Sequence, residues 1–248
     1  MTGKIPTLEE IEQLHRDLAP SQAAFDLIYT HCRIIAEITR QLVHRQNALF
    51  MRRCTLPSDA VERTGDYDAQ PNAFKVPATD GVTGGMIPPR YLDTRMPVLG
   101  ALVHDIGVYK LVLNDGSNGE PLTFDGPNYV RHGIIGYQLL LDAGFDESIA
   151  EYARNHTGVG LTKEDVERQH LPIPVDDYVP MNLEQEVVMV ADKYNSKSVP
   201  PRFLTAESYA KKAARFGEQN EQRWLELVRQ YGEPDIPALA EKYHMQIK

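Results

Sequence analysis

Residues 96–113, MPVLGALVHDIGVYKLVL, are apolar nearly all the way round a helix, yet they hold His104 and Asp105 side by side. A carboxylate in that setting needs a partner, because an unpaired buried charge costs several kcal/mol or is neutralised by a shift of its pKa. Asp192 poses the same problem inside VVMVADKYNS. His31 lies three residues after Ile28 and four before Ile35, so it projects from the apolar stripe of its own helix. Taken singly, each of these is most simply a core residue satisfied by a backbone carbonyl or an arginine. Taken together, they offer imidazole and carboxylate from separate buried helices to one divalent cation. Nitrogen and oxygen donors without thiolate suit manganese, iron, cobalt, nickel or zinc.

The rest of the chain repeats apolar residues at helical spacing and carries no series of alternating strands, so the fold expected is all-α. Thr7 and Glu10 have the form of a capping box opening a first helix with Leu8, Ile11, Leu14 and Leu18 as its stripe. A second helix follows Pro20-Ser21, with Ile28, Ile35, Ile38 and Leu42 inward, and fades near Leu49. Gly107 is expected to end the helix that holds His104 and Asp105, and Gly144 to close NYVRHGIIGYQLLLDAG. Asp146 and the pair Thr162/Asp165 open further helices. Residues 55–95 are rich in Pro and Gly and read as a long loop insertion, either a lid or a surface excursion. Residues 205–248 read as two or three C-terminal helices broken at Gly232–Pro234, and residues 1–248 as one domain.

Charge narrows the function. With 26 Lys and Arg against 35 Asp and Glu, the chain has a formal charge of −9, which argues against a general nucleic-acid or anionic-membrane binder. Cys32 and Cys54 lack CxxC spacing. No apolar run approaches the ~18 residues of a membrane span, and the N-terminus turns acidic at once, so a cytoplasmic protein is expected.

His31, the pair His104-Asp105 within LVHDIG, and Asp192 within VVMVADKYNS resemble, in order and context, the H…HD…D signature of the HD-domain superfamily of metal-dependent phosphohydrolases. The resemblance runs from about His31 to Lys197. It implies a helical bundle, with the insertion and the C-terminal helices outside it. His132 and His156 fall where dinuclear members of the superfamily have two more histidines. The resemblance thus implies two metals, one on His31, His104, Asp105 and Asp192, the other on Asp105, His132 and His156, with Asp105 shared. The alternative is a mononuclear site in which His132 and His156 bind substrate.

The activity implied is hydrolysis of a phosphate monoester or phosphoanhydride, on a nucleotide or nucleotide-like small molecule, with Asp105 at the catalytic centre. Lys110 and Arg131 are the best-placed catalytic partners for phosphate, ahead of Arg154, Lys163 and Lys193. The superfamily's cyclic-dinucleotide branch has HDIGK and a GYP signature, whereas this chain reads HDIGVYK and has no GYP. Other readings stay open: mixed-valent diiron oxygenases share the same ligand pattern, and a regulatory module could keep a metal without turnover.

Overall fold

The capping residues open helices where the sequence places them. Thr7 and Glu10 cap each other's backbone reciprocally at the start of α1 (Leu8–Leu18), and the Ser21 hydroxyl accepts from Ala24 N–H at the start of α2 (Gln22–Thr55). The computed structural model describes residues 3–55 and 77–248. After α2 come α3 (Met96–Val103), a 3-10 turn (Ile106–Leu111), and the antiparallel strands β1 (Val112–Asn114) and β2 (Thr123–Phe124). They are followed by α4 (His132–Asp142), α5 (Glu147–Arg154), α6 (Lys163–Arg168) and α7 (Leu183–Asp192). The C-terminal part contributes β3 (Asn195–Ser196), β4 (Arg202–Phe203), α8 (Ala206–Ala213), α9 (Glu218–Tyr231), α10 (Ile236–Tyr243) and β5 (Gln246–Ile247). The fold is all-α, with two small sheets whose two- and three-residue strands are too short to leave an alternating pattern.

The helix α2 is the axis of the molecule. It runs 34 residues, past the expected end at Leu49 to Thr55. Ile28, Ile35, Ile38 and Leu42 are fully buried along it, where α3 and α7 pack against it. Helix α5 packs against α3, and α4 pairs with α5 and with the 3-10 turn.

The helix holding His104 and Asp105 ends earlier than the sequence suggests. Helix α3 stops at Val103, and Asp105 has left helical geometry (φ −104°, ψ 12°). Gly107 does not end it but serves close packing: a Cβ there would lie 2.1 Å from His132 O and 2.5 Å from Gly136 N. Similarly, the helix expected from Asn128 begins as a 3-10 turn (Tyr129–Arg131) and becomes α-helical at His132. Gly144, in the left-handed region at φ 79°, follows α4 as expected.

Of the insertion expected at 55–95, residues 56–76 lie outside the described residues. Residues 77–95 are fastened to the far half of α2 and to the C-terminal helices. Arg45 donates to Gly84 O and Pro77 O, and Asn47 exchanges two hydrogen bonds with the Leu92 backbone. Thr83 and Glu233 pair through both backbone groups. The C-terminal helices are keyed to the core by Trp224, whose ring packs near Tyr194 and Tyr209 and whose indole N–H donates to Ala206 O.

Candidate metal centre

Each histidine of the expected set is held by one ring nitrogen, leaving the other to face inward. His104, His132 and His156 donate Nδ1–H to the carbonyl three residues earlier, on Ala101 (2.7 Å), Tyr129 (2.5 Å) and Ala153 (2.8 Å). The repeat has a local cause: all three sit within two residues of an α-helix end, where backbone carbonyls or turn geometry leave an acceptor in reach of the ring. His31, in mid-helix, has no such carbonyl and donates instead to Asn195 Oδ1 at 2.8 Å. Fixing Nδ1 as the protonated nitrogen makes Nε2 the lone-pair donor, as in metal-bound imidazoles steadied by a neighbouring acceptor.

Those Nε2 atoms converge on Asp105, which is fully buried. Its Oδ2 lies 3.1 Å from His31 Nε2 and 3.2 Å from His104 Nε2. Its Oδ1 lies 3.6 Å from His132 Nε2 and 3.5 Å from His156 Nε2. Asp192, at the last residue of α7, completes the first group, with Oδ1 at 3.0 Å from His31 Nε2 and 3.4 Å from His104 Nε2. The structure thus brings all six expected residues together as two groups joined at Asp105, the potential donor atoms of each group within 4.8 Å of one another.

Two observations show that this donor set fits divalent cations. His104 Nε2 and Asp105 Oδ1 are buried without a hydrogen-bond partner, a costly state for polar atoms unless a cation meets them. His132 Nε2 and His156 Nε2 stand 3.0 Å apart. With both Nδ1 protons committed to carbonyls, two lone pairs face each other at that distance. A proton is a poor mediator there, since burial holds both rings below the usual histidine range, His132 down to about 3.

Burial would raise the pKa of both carboxylates, but neighbouring cations outweigh it. Lys197 and His104 hold Asp105 well below the usual carboxylate range, and Lys193, with His104 and His31, does the same for Asp192. Against burial, Asp105 in turn raises the pKa of His104 and of Lys197 above their ordinary ranges, so a cation at His104 Nε2 would have to displace a proton. Lys197 Nζ contacts Asp105 Oδ2 and lies 3.3 Å from His31 Nε2. Lys193 Nζ bonds Asp192 Oδ2 and His156 O.

A cavity of about 510 Å³ opens on the centre, lined by His132, His156, Asp192, Lys193 and Lys197 on one side. The two residues expected to meet phosphate are elsewhere. Lys110 is exposed and lies off the cavity, because five residues past Asp105 in a three-per-turn segment carries it roughly 240° round. Arg131 is also exposed and lines a separate small groove with Ile134, Ile135 and residues 171–174. Arg154 is occupied by Asp176 and the Tyr178 ring, and Lys163 is exposed. Lys193 does line the cavity. Lys197 and Asn195 were not singled out by the sequence. The only signal for a cation there was charge balance, since two buried carboxylates ask for one, but nothing marked which lysine would supply it.

Among known proteins, the family model of the HD domain matches residues 91–196, which contain five of the six residues and leave out His31. An uncharacterized protein of Methanocaldococcus jannaschii is 36% identical over 101 residues, 41% of this chain and 49% of that one. The tRNA (cytidine(56)-2'-O)-methyltransferase of Picrophilus torridus is 36% identical over 100 residues, 40% of this chain and 24% of the enzyme. The chain therefore spans half or less of the length of these curated relatives. Among solved structures, the HD domain of the L. monocytogenes phosphodiesterase PgpH is similar at a TM-score of 0.44 and 12% identity, over 94% of this chain and 99% of that one. Residues 91–196 match as an HD domain, and they carry the adjacent His104-Asp105 at the heart of the centre.

Proposed function

We propose that the protein is a metal-dependent phosphohydrolase that cleaves a phosphate monoester or phosphoanhydride of a nucleotide-like small molecule, with two divalent transition-metal ions held by the six residues around Asp105. The observation that carries this reading is the pair of Nε2 atoms 3.0 Å apart beside a carboxylate whose two oxygens face different histidine pairs. Bound ions would supply a water acidic enough to ionise near neutral pH and would polarise the phosphoryl oxygens.

The chain's own residues do the rest. His31, His104 and Asp192 would hold one ion and His132 and His156 the other, Asp105 contributing to both. Asn195 and the three carbonyls keep the rings oriented, so no rotamer search accompanies loading. Lys193 and Lys197 bring positive charge to the cavity wall, where a phosphoryl group would sit, in a protein whose surface is acidic. In the reaction the water oxygen bonds to phosphorus and the P–O bond to the leaving group breaks. One proton of the water ends on the leaving oxygen, giving an alcohol or shorter phosphate together with inorganic phosphate.

The test is metal analysis and phosphate release on the same preparations. Wild type should hold about two ions per chain and release phosphate from part of a nucleotide panel. His132→Ala and His156→Ala should drop to about one ion, and Asp105→Asn should lose most metal and at least a hundredfold of the rate. Wild type that saturates at one ion overturns the dinuclear part. Oxygen uptake by iron-loaded protein, or full loading with no turnover, overturns the hydrolase.

A further inference from the structure

His156 is followed at once by Thr157, Gly158 and Val159, which line the cavity directly after a residue of the centre. Backbone N–H and C=O groups in a folded chain both need partners, so a turn that satisfies one kind and not the other is informative. In this turn the acceptors are taken. His156 O receives Lys193 Nζ at 3.0 Å, Thr157 O receives Gly160 N–H at 3.2 Å, and Gly160 O receives the Arg223 guanidinium at 2.8 Å. The donors are spare. Among the described residues no acceptor meets the N–H groups of Thr157, Gly158 or Val159, and the Thr157 hydroxyl has no hydrogen-bond partner.

Gly158 adds a second observation. It lies in the left-handed region at φ 62°, and a Cβ built on it would meet nothing nearer than Leu161 Cδ2 at 3.9 Å. Close packing therefore does not ask for glycine at this position, and the backbone conformation does. Turns of this kind direct successive N–H groups to one side and make the concavities that hold anions. The loop is also fixed in place. Beyond it Leu161 and Tyr178 exchange two backbone hydrogen bonds, at 3.1 and 2.7 Å, and before it the His156 ring is tied to Ala153 O. Donors held in position reorganise little when a negative charge reaches them.

We propose that Thr157, Gly158 and Val159 form an oxyanion-binding loop, whose three backbone N–H groups and Thr157 hydroxyl hold the oxygens of a phosphate group in the cavity. The ligand class is the phosphate of a monoester or anhydride, whose several free oxygens accept from several donors at once. This rests on the phosphohydrolase reading above and deepens it. The ions would polarise the phosphoryl group, and the loop, one residue from His156, would set the direction in which that group faces.

The experiment titrates inorganic phosphate calorimetrically into the full-length, manganese-loaded chain, with metal content measured on the same samples. Wild type is compared with Thr157→Val, Thr157→Ser and Gly158→Ala. Wild type should bind phosphate. Thr157→Val, which keeps shape and loses the hydroxyl, should bind it about tenfold more weakly, and Thr157→Ser should restore most of the affinity. Gly158→Ala, strained at a left-handed φ, should lose as much or more, with metal content unchanged in all three variants. Failure of wild type to bind phosphate, or affinities within twofold of wild type in both Thr157→Val and Gly158→Ala, overturns the proposal. So does weakening that follows the loss of an ion, because the metals and not the loop would then hold the phosphate. Failure of the hydrolase reading looks different: no compound releases phosphate, while the phosphate titration still decides the role of the loop.

Discussion

His15 touches none of the six centre residues, yet it fixes the backbone on which two of them hang. Fully buried, its Nε2–H donates to Leu102 O at 2.8 Å and its Nδ1 accepts from the Tyr109 hydroxyl at 2.9 Å. Leu102 and Tyr109 bracket His104 and Asp105, so α1 clamps the turn from behind. Burial pushes the pKa of His15 down to about 4. An unfolded chain takes up that proton near pH 6.5, whereas the folded chain refuses it until about pH 4. Its contribution is therefore full above about 6.5 and is lost as pH falls toward 4, by roughly 3 kcal/mol in all. Urea midpoints of wild type and His15→Gln between pH 7.5 and 4.5 should diverge, the wild type losing more of its initially greater stability. Parallel pH profiles would show that His15 is not the group responsible.

At this scale the sequence was legible where a polar residue interrupts an apolar stripe. His31, His104, Asp105 and Asp192 declare themselves that way, because burying them alone is unfavourable. Lys110 and Arg131 lie near a ligand in sequence, but nearness along the chain does not settle direction in a turn. Lys197 sits in a polar stretch, NSKS, that looks like any solvated surface.

Between elements, the decisive contact is the one between the 3-10 turn after Asp105 and the first turn of α4. Gly107 and Gly136 let their backbones meet there, and His132 O is the atom a Cβ on Gly107 would strike, 2.1 Å away. Backbone cannot yield as a flexible side chain does. Gly107→Ala should therefore cost on the order of 1–3 kcal/mol by overpacking, or more if the turn cannot slide. It should also displace His132 from its partner His156. Thermal unfolding beside metal stoichiometry checks both. Unchanged melting temperature and unchanged stoichiometry would mean that the two backbones have slack. Helix starts were readable from their caps, since a capping side chain acts on its own neighbours. Helix ends were not: α3 stops short and α2 runs long because packing against other helices, absent from a local reading, decides where each last turn is worth keeping. Likewise nothing local could show that residues 77–95 are fastened to α2 and α9 and line no part of the cavity.

Across the whole molecule, His31 and Asp192 stand 161 positions apart in the chain and within 3.0 Å in space. An ion gripped by both is a cross-link, and it encloses nearly everything from mid-α2 to the end of α7. If it acted as a permanent link, closing a loop of that length would remove denatured-chain entropy worth about 5 kcal/mol. Adding manganese to chelator-treated protein should raise the melting temperature well beyond what a surface ion does, and more in wild type than in Asp192→Asn. Equal melting with and without the ion would show that the two ends are never tied. If they are, the ion cannot stay gripped at both ends while the chain unfolds, nor the chain come apart while both grips hold. Escape of the metal and the first irreversible step of unfolding then share one barrier, and the half-life of the bound ion becomes a clock for the lifetime of the fold.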